Sequence, residues 1–142
     1  MIEVYGVFMT AIPEQVKERI RAKAQSDWPG DFEMQRHTIE KQVAAFRELE
    51  ALKEKFASDE FIGQIFNFAS SSWPDDYEME LHTFQTQLDA GMAFFNYEAN
   101  DVPSDILEQI KLKAYSEWPD DHEMKLHTLE TQLDAWRELQ EF

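Results

Sequence analysis

Ser71-Ser72-Trp73-Pro74-Asp75-Asp76-Tyr77-Glu78-Met79-Glu80-Leu81-His82-Thr83 has two more copies in this chain. They are Ser26-Asp27-Trp28-Pro29-Gly30-Asp31-Phe32-Glu33-Met34-Gln35-Arg36-His37-Thr38 and Ser116-Glu117-Trp118-Pro119-Asp120-Asp121-His122-Glu123-Met124-Lys125-Leu126-His127-Thr128. Trp28, Trp73 and Trp118 stand 45 residues apart, and the copies align without a gap. Self-similarity at a fixed period of this size marks supersecondary units that bury their apolar faces by stacking.

Working outward from the Trp-Pro pair, each copy reads as two helices. Val16, Ile20 and Ala24 are spaced i, i+4, i+8, as are Phe61, Ile65, Ala69 and Ile106, Ile110, Ala114. That spacing predicts first helices over 14–27, 59–72 and 104–117. Pro13 and Pro103 suit a first helical turn, where a missing N–H costs nothing. Each first helix must end near its Trp, because the following proline disfavours helical geometry in the residue before it. Asp31, Asp76 and Asp121 then stand where a second helix needs an N-cap. Second helices are predicted to run to about 50, 95 and 140. A connection of about four residues makes each copy an antiparallel hairpin.

The fold class predicted is all-α: three tandem 45-residue helical hairpins stacked as a short α-solenoid-like array. The chain reads as a single domain, 1–142. Residues 1–12 form an N-terminal cap segment, and the repeats are 13–57, 58–102 and 103–142. In length alone the repeat is similar to HEAT and armadillo repeats; the tetratricopeptide pattern is absent.

The copies differ in a patterned way. Where repeat 1 has Lys17, Arg21, Lys23, Arg36, Arg47 and Glu50, repeat 2 has Ile62, Phe66, Phe68, Leu81, Met92 and Phe95. Repeat 3 returns to charge or polarity at four of the six, with Lys111, Lys113, Arg137 and Gln140. A middle unit covered on both sides would need this change, so Phe66, Phe68 and Phe95 are expected to be buried. On the second helix, positions identical in every copy share one side: Glu33, Met34, His37, Thr38, Gln42 and Ala45, with their equivalents. This side is expected to pack within its own hairpin, with each Trp closing the hairpin's end as a core residue.

Composition bounds the function. With no cysteine, disulfides and thiolate metal sites are excluded, and a reducing, cytoplasmic setting is expected. No signal peptide is evident, and no stretch reaches the roughly 20 apolar residues of a membrane span. The net charge of -16 is uneven. Repeat 1 carries nine basic and nine acidic side chains, repeat 2 nine acidic and none basic, and repeat 3 four basic and ten acidic. Such a surface repels nucleic-acid backbones and anionic membranes and attracts a basic protein. An acidic partner-binding surface is therefore expected at Asp75, Asp76, Glu80, Asp89, Asp120 and Asp121.

A second expectation is one small ligand site per repeat: Trp28, Glu33, His37 and Gln42; Trp73, Glu78, His82 and Gln87; Trp118, Glu123, His127 and Gln132. Each Glu–His pair is spaced i, i+4, as metal ligands in helical bundles are, but two ligands are too few, and no metal or cofactor is expected. There is no Ser/His/Asp arrangement and no Gly-rich phosphate loop. The chain is therefore read as a non-enzymatic, acidic helical-repeat module that binds a basic protein partner. One alternative is a DNA-mimic-type inhibitor of a nucleic-acid-binding enzyme, of the phage anti-defence kind. The other is a small-ligand or metal binder using the repeated Trp/Glu/His set.

Overall fold

The computed structural model describes residues 12–142, which form six α-helices and no strand. In chain order these are α1 (Glu14–Asp27), α2 (Phe32–Lys55), α3 (Glu60–Ser72), α4 (Tyr77–Phe95), α5 (Ser104–Glu117) and α6 (His122–Glu141). None is long and apolar enough to cross a membrane. The expected N-terminal cap lies outside the described residues except for Ile12, which is buried.

The first and second helices of each repeat are separated by the four residues Trp-Pro-x-Asp, and the reason is local. Trp28, Trp73 and Trp118 each leave helical geometry, at φ −132°, −134° and −132°. Each still donates its backbone N–H to the carbonyl of Ala24, Ala69 or Ala114, closing the last turn. Asp31, Asp76 and Asp121 then accept the N–H of Met34, Met79 and Met124 at 3.1, 3.1 and 3.2 Å. These are N-cap bonds that satisfy an otherwise orphaned donor. Repeat 1 shapes its turn differently: Gly30 has φ +76°, a conformation its counterparts Asp75 and Asp120 do not share.

The chain packs as two compact units, Met1–His82 and Thr83–Phe142, and the division falls inside α4 rather than at a repeat boundary. In the first unit α1 packs along α2. Val16, Ile20 and Ala24 are buried on α1, and Gln42, Val43, Ala45, Phe46 and Leu49 on α2. Tyr77 meets Phe46 edge to face, with ring centroids 5.2 Å apart. In the second unit α5 packs along α6. Its core joins Phe94, Val102, Ile110, Ala114, Leu129 and Leu133. Arg137 ties the segment before α5 to α6, donating to both carboxylate oxygens of Asp101 at 2.6 and 3.0 Å. Burying each such aliphatic or aromatic side chain contributes about 1.5–3 kcal/mol.

Two expectations about this packing need correction. Phe66 is buried and Phe68 half-buried, but Phe95 is 47% exposed. Phe94 takes the inward position at the end of α4, which leaves Phe95 at the rim beside the rings of Tyr115 and His122. The three tryptophans are not core either: Trp28, Trp73 and Trp118 keep 39%, 38% and 37% of their surface. As the last residues before a turn they use their backbone inside the fold and leave much of the indole outside.

Candidate functional site: the Trp-Pro turns and the glutamine links

The repeated set expected as one ligand site divides into two. Glu33, Glu78 and Glu123 are exposed, as are His37, His82 and His127, alongside the half-exposed tryptophans. Gln42 and Gln87 are buried, and Gln132 is half-buried. The described residues contain no group of three or more His, Asp or Glu placed to hold a metal ion.

The buried glutamines do a specific job. Gln42 Nε2 donates to Asp76 Oδ1 at 2.8 Å, and Gln42 Oε1 accepts the N–H of Tyr77 at 2.8 Å. A longer contact, 3.4 Å, runs from the same amide to Glu78. In the second unit Gln87 Nε2 donates to Asp121 at 2.9 Å and Gln87 Oε1 accepts the N–H of His122 at 2.7 Å. One amide thus holds the capping carboxylate and the first helical N–H of the next repeat. Both buried polar atoms of the side chain are satisfied. The identical side of the second helix therefore serves contacts between repeats as well as within one, which corrects the expectation that it packs only inside its hairpin.

Lys23 completes the arrangement around Asp76. Its Nζ lies 3.2 Å from Asp27 and 3.5 Å from Asp76. Burial alone would raise the Asp76 carboxyl, but bonds from Gln42 and the Met79 N–H, with the Lys23 charge, outweigh it and hold it below its ordinary value. Burial likewise opposes the Lys23 ammonium, and the bond to Asp27 and the charge of Asp76 raise it on balance.

Beside this contact runs an open groove of about 550 Å³, lined by Arg19, Lys23, Ser26, Trp73, Pro74 and Asp75 among others. Of the acids expected on a binding surface, Asp75, Asp89 and Asp120 are exposed, and Asp76 and Asp121 are half-buried in the capping contacts. Glu80 does not belong to that surface: it is 4% exposed. It falls on the inward stripe of α4 with Tyr77, Phe84 and Gln87, and burial pushes its carboxyl up, the charge of Lys53 only partly offsetting this.

Sequence reasoning missed Lys125. It occupies the position of Glu80 and Gln35 and is completely buried. Its Nζ donates to the Pro119 carbonyl at 3.2 Å, lies 3.2 Å from His122 Nδ1, and sits over the rings of Tyr115, Phe95 and Phe94 at 4.2, 5.4 and 5.6 Å. Gln35 closes the first Trp-Pro turn in the same manner, donating to the Trp28 carbonyl at 2.8 Å. A usable signal was the position itself, which is polar in all three copies yet on the apolar stripe.

Comparisons with protein-family models, with curated proteins and with solved structures each returned no match to this chain.

Proposed function

We propose that the chain is a non-enzymatic interaction module that takes a basic partner segment at its Trp-Pro-Asp turns. One observation carries this reading: Trp73 and Trp118 stay more than one-third exposed and are followed by the exposed carboxylates of Asp75 and Asp120. A tryptophan repeated only for packing would be covered. An exposed indole beside a carboxylate is a receptor for Lys or Arg, the ring face attracting the cation and the acid supplying the charge. Arg19 and Lys23 line the groove at Trp73, so the turn of Trp118 and Asp120 is the more inviting of the two.

The same reading takes the three hairpins as a stacked array. Its support is the common step from Gln42 to Asp76 in the first unit and from Gln87 to Asp121 in the second. A DNA mimic would need its acids free and spaced like phosphates; Asp76, Asp121 and Glu80 are instead engaged within the chain or buried.

The test is a titration of the protein with a synthetic Lys/Arg-rich peptide, followed by tryptophan fluorescence at low and high salt. Binding should weaken steeply with salt. Trp118→Ala and Asp120→Lys should each weaken it, the second mainly by slowing association. Equal response to an acidic control peptide, or indifference to both substitutions, would overturn the reading.

A further inference from the structure

The contact that joins repeat 1 to repeat 2 has two sides. One side, a socket, is built from Lys23, Gln42 and Phe46. The other, a plug, is Asp76 with the Tyr77 N–H and ring. In the sequence the plug has an equivalent in repeat 1, Asp31 and Phe32, and the socket has one in repeat 3, Lys113, Gln132 and Trp136.

Among the described residues, the plug equivalent is bare and the socket equivalent is only partly covered: Gln132 is half-buried and Trp136 packs on the core of its own unit, but the residues around them are exposed. Phe32 is 78% exposed, whereas Tyr77 and His122 at the same position are buried. Ile39 is half-buried, whereas Phe84 and Leu129 are buried. At the socket, Leu139 is 69% exposed, whereas its counterparts Leu49 and Phe94 are buried. Ala135 is exposed where Ala45 and Ala90 are buried. Leu112, equivalent to the groove residue Ala22, is a large exposed apolar side chain.

Repeat 3 also copies the socket of repeat 1 more closely than repeat 2 does. Repeat 2 has Phe68 and Gly91 where repeat 1 has Lys23 and Phe46; repeat 3 restores a lysine, Lys113, and an aromatic ring, Trp136. Lys113 is poised as Lys23 is, paired one turn on with Glu117 at 2.7 Å as Lys23 is with Asp27. A merely solvated face would need a lysine there no more than any other polar residue, and it would not leave Leu112 and Leu139 bare beside the partly covered Trp136 ring.

We propose that repeat 3 binds repeat 1 of a second copy of this chain. Gln132 and Lys113 take the partner copy's Asp31 and first helical N–H, and its Phe32 ring seats against Trp136 and Leu139. Charge sets the direction. Repeat 1 holds nine of the thirteen Lys and Arg residues, whereas repeat 3 carries four basic against ten acidic side chains. Head-to-tail pairing brings the balanced repeat to the acidic one, while pairing two third repeats would set like charges together. A head-to-tail contact is heterologous, so it can propagate into rings or filaments. The surface is distinct from the Trp118–Asp120 turn and does not depend on a basic partner.

The experiment is analytical ultracentrifugation of the 142-residue chain from low to high micromolar concentration. Mass should rise above the 16.8 kDa of one chain as concentration rises. Phe32→Asp disables the plug and is compatible with a helix's first turn; Leu139→Lys disables the socket. Both positions are exposed, so helicity measured by circular dichroism should be unchanged. Each variant alone should be monomeric or at least roughly ten-fold weaker in self-association. Their equimolar mixture should form a 1:1 dimer and stop there, because one intact plug meets one intact socket. Gln132→Ala should weaken association by a similar route. A mass that stays at one chain throughout would overturn the proposal. So would association that survives both variants, or a mixture that fails to pair while each variant is folded.

Discussion

The amide of Gln42 donates to the carboxylate of Asp76 at 2.8 Å, across 34 residues of sequence. The same amide accepts the Tyr77 N–H, so a single side chain fixes both the cap and the start of α4. Gln87 repeats the arrangement toward Asp121 and His122. The repeat period is therefore carried by a polar contact as well as by apolar stripes. A glutamine suits the task because it offers a donor and an acceptor on one short planar group.

Gln87→Ala tests this contact. It removes two hydrogen bonds and leaves the buried His122 N–H without its acceptor. A lost bond costs about 0.5–1.5 kcal/mol and a stranded buried group about 1–3, so a loss of roughly 2–4 kcal/mol is expected. Gln132→Ala, at the half-buried equivalent, should cost less than about 0.5 kcal/mol in dilute protein, as surface substitutions do. Urea melts of the two variants at one low concentration compare them directly.

Trp73→Ala should be milder than the loss of a core tryptophan. Fully buried Trp→Ala changes cost about 3–5 kcal/mol; with more than one-third of the side chain already exposed, about 1–2 kcal/mol is expected. The helix end itself survives, because the bond from residue 73 to the Ala69 carbonyl is made by the backbone. A denaturant melt gives the number, and a loss above about 3 kcal/mol would mean the indole is core after all.

Most helix ends could be read from the sequence because they are set by neighbours in the chain. Trp before Pro ends the first helix and Asp begins the second, and both act within a few residues. The glutamine links could not be read, since their partners are 34 and 35 residues away and nothing local marks them. Counting acids placed Glu80 on the surface; tracing Tyr77, Glu80, Phe84 and Gln87 along α4 at helical spacing would have placed it inside. The tryptophans were expected in the core from identity between copies, but identity shows only that a residue is needed, not that it is covered. Phe95 was expected inside for being apolar where its counterparts are polar, yet it shares their position at the rim, beyond Phe94.

Glu80→Gln should leave stability near neutral pH unchanged or higher. Burial raises the Glu80 carboxyl above its ordinary value, so the ionised form is disfavoured in the fold. An acid whose folded pKa is raised loses stability as pH rises from its ordinary value of about 4.5 through its folded value. Glutamine keeps the shape and removes the charge, at the expense of attraction from Lys53. The gain of the variant over the parent should therefore shrink as pH falls into the acid range, where Glu80 is protonated. Urea melts at neutral and acid pH read this difference; a clear loss at neutral pH would mean that the Lys53 attraction outweighs burial.

His122 and Lys125 should make the second unit weaken as pH falls. Burial lowers the His122 imidazole below its ordinary value, and the neighbouring Lys125 charge lowers it further; Asp121 and Asp120 only partly oppose this. Burial also lowers the Lys125 ammonium, against the same two aspartates. A base whose folded pKa is lowered binds fewer protons folded than unfolded between the two values, so stability rises with pH across that window. For His122 the window lies below about 6.5, and for Lys125 below about 10.5. Melts from alkaline to mildly acid pH should show a steady loss. His122→Tyr, which installs the residue of repeat 2, should flatten the part below about pH 6.5 and leave the alkaline part in place. Lys125→Met should do the reverse, keeping apolar contact with Tyr115, Phe95 and Phe94 while removing the alkaline slope. If both variants retain the parent's full pH profile, the titration belongs elsewhere in the chain.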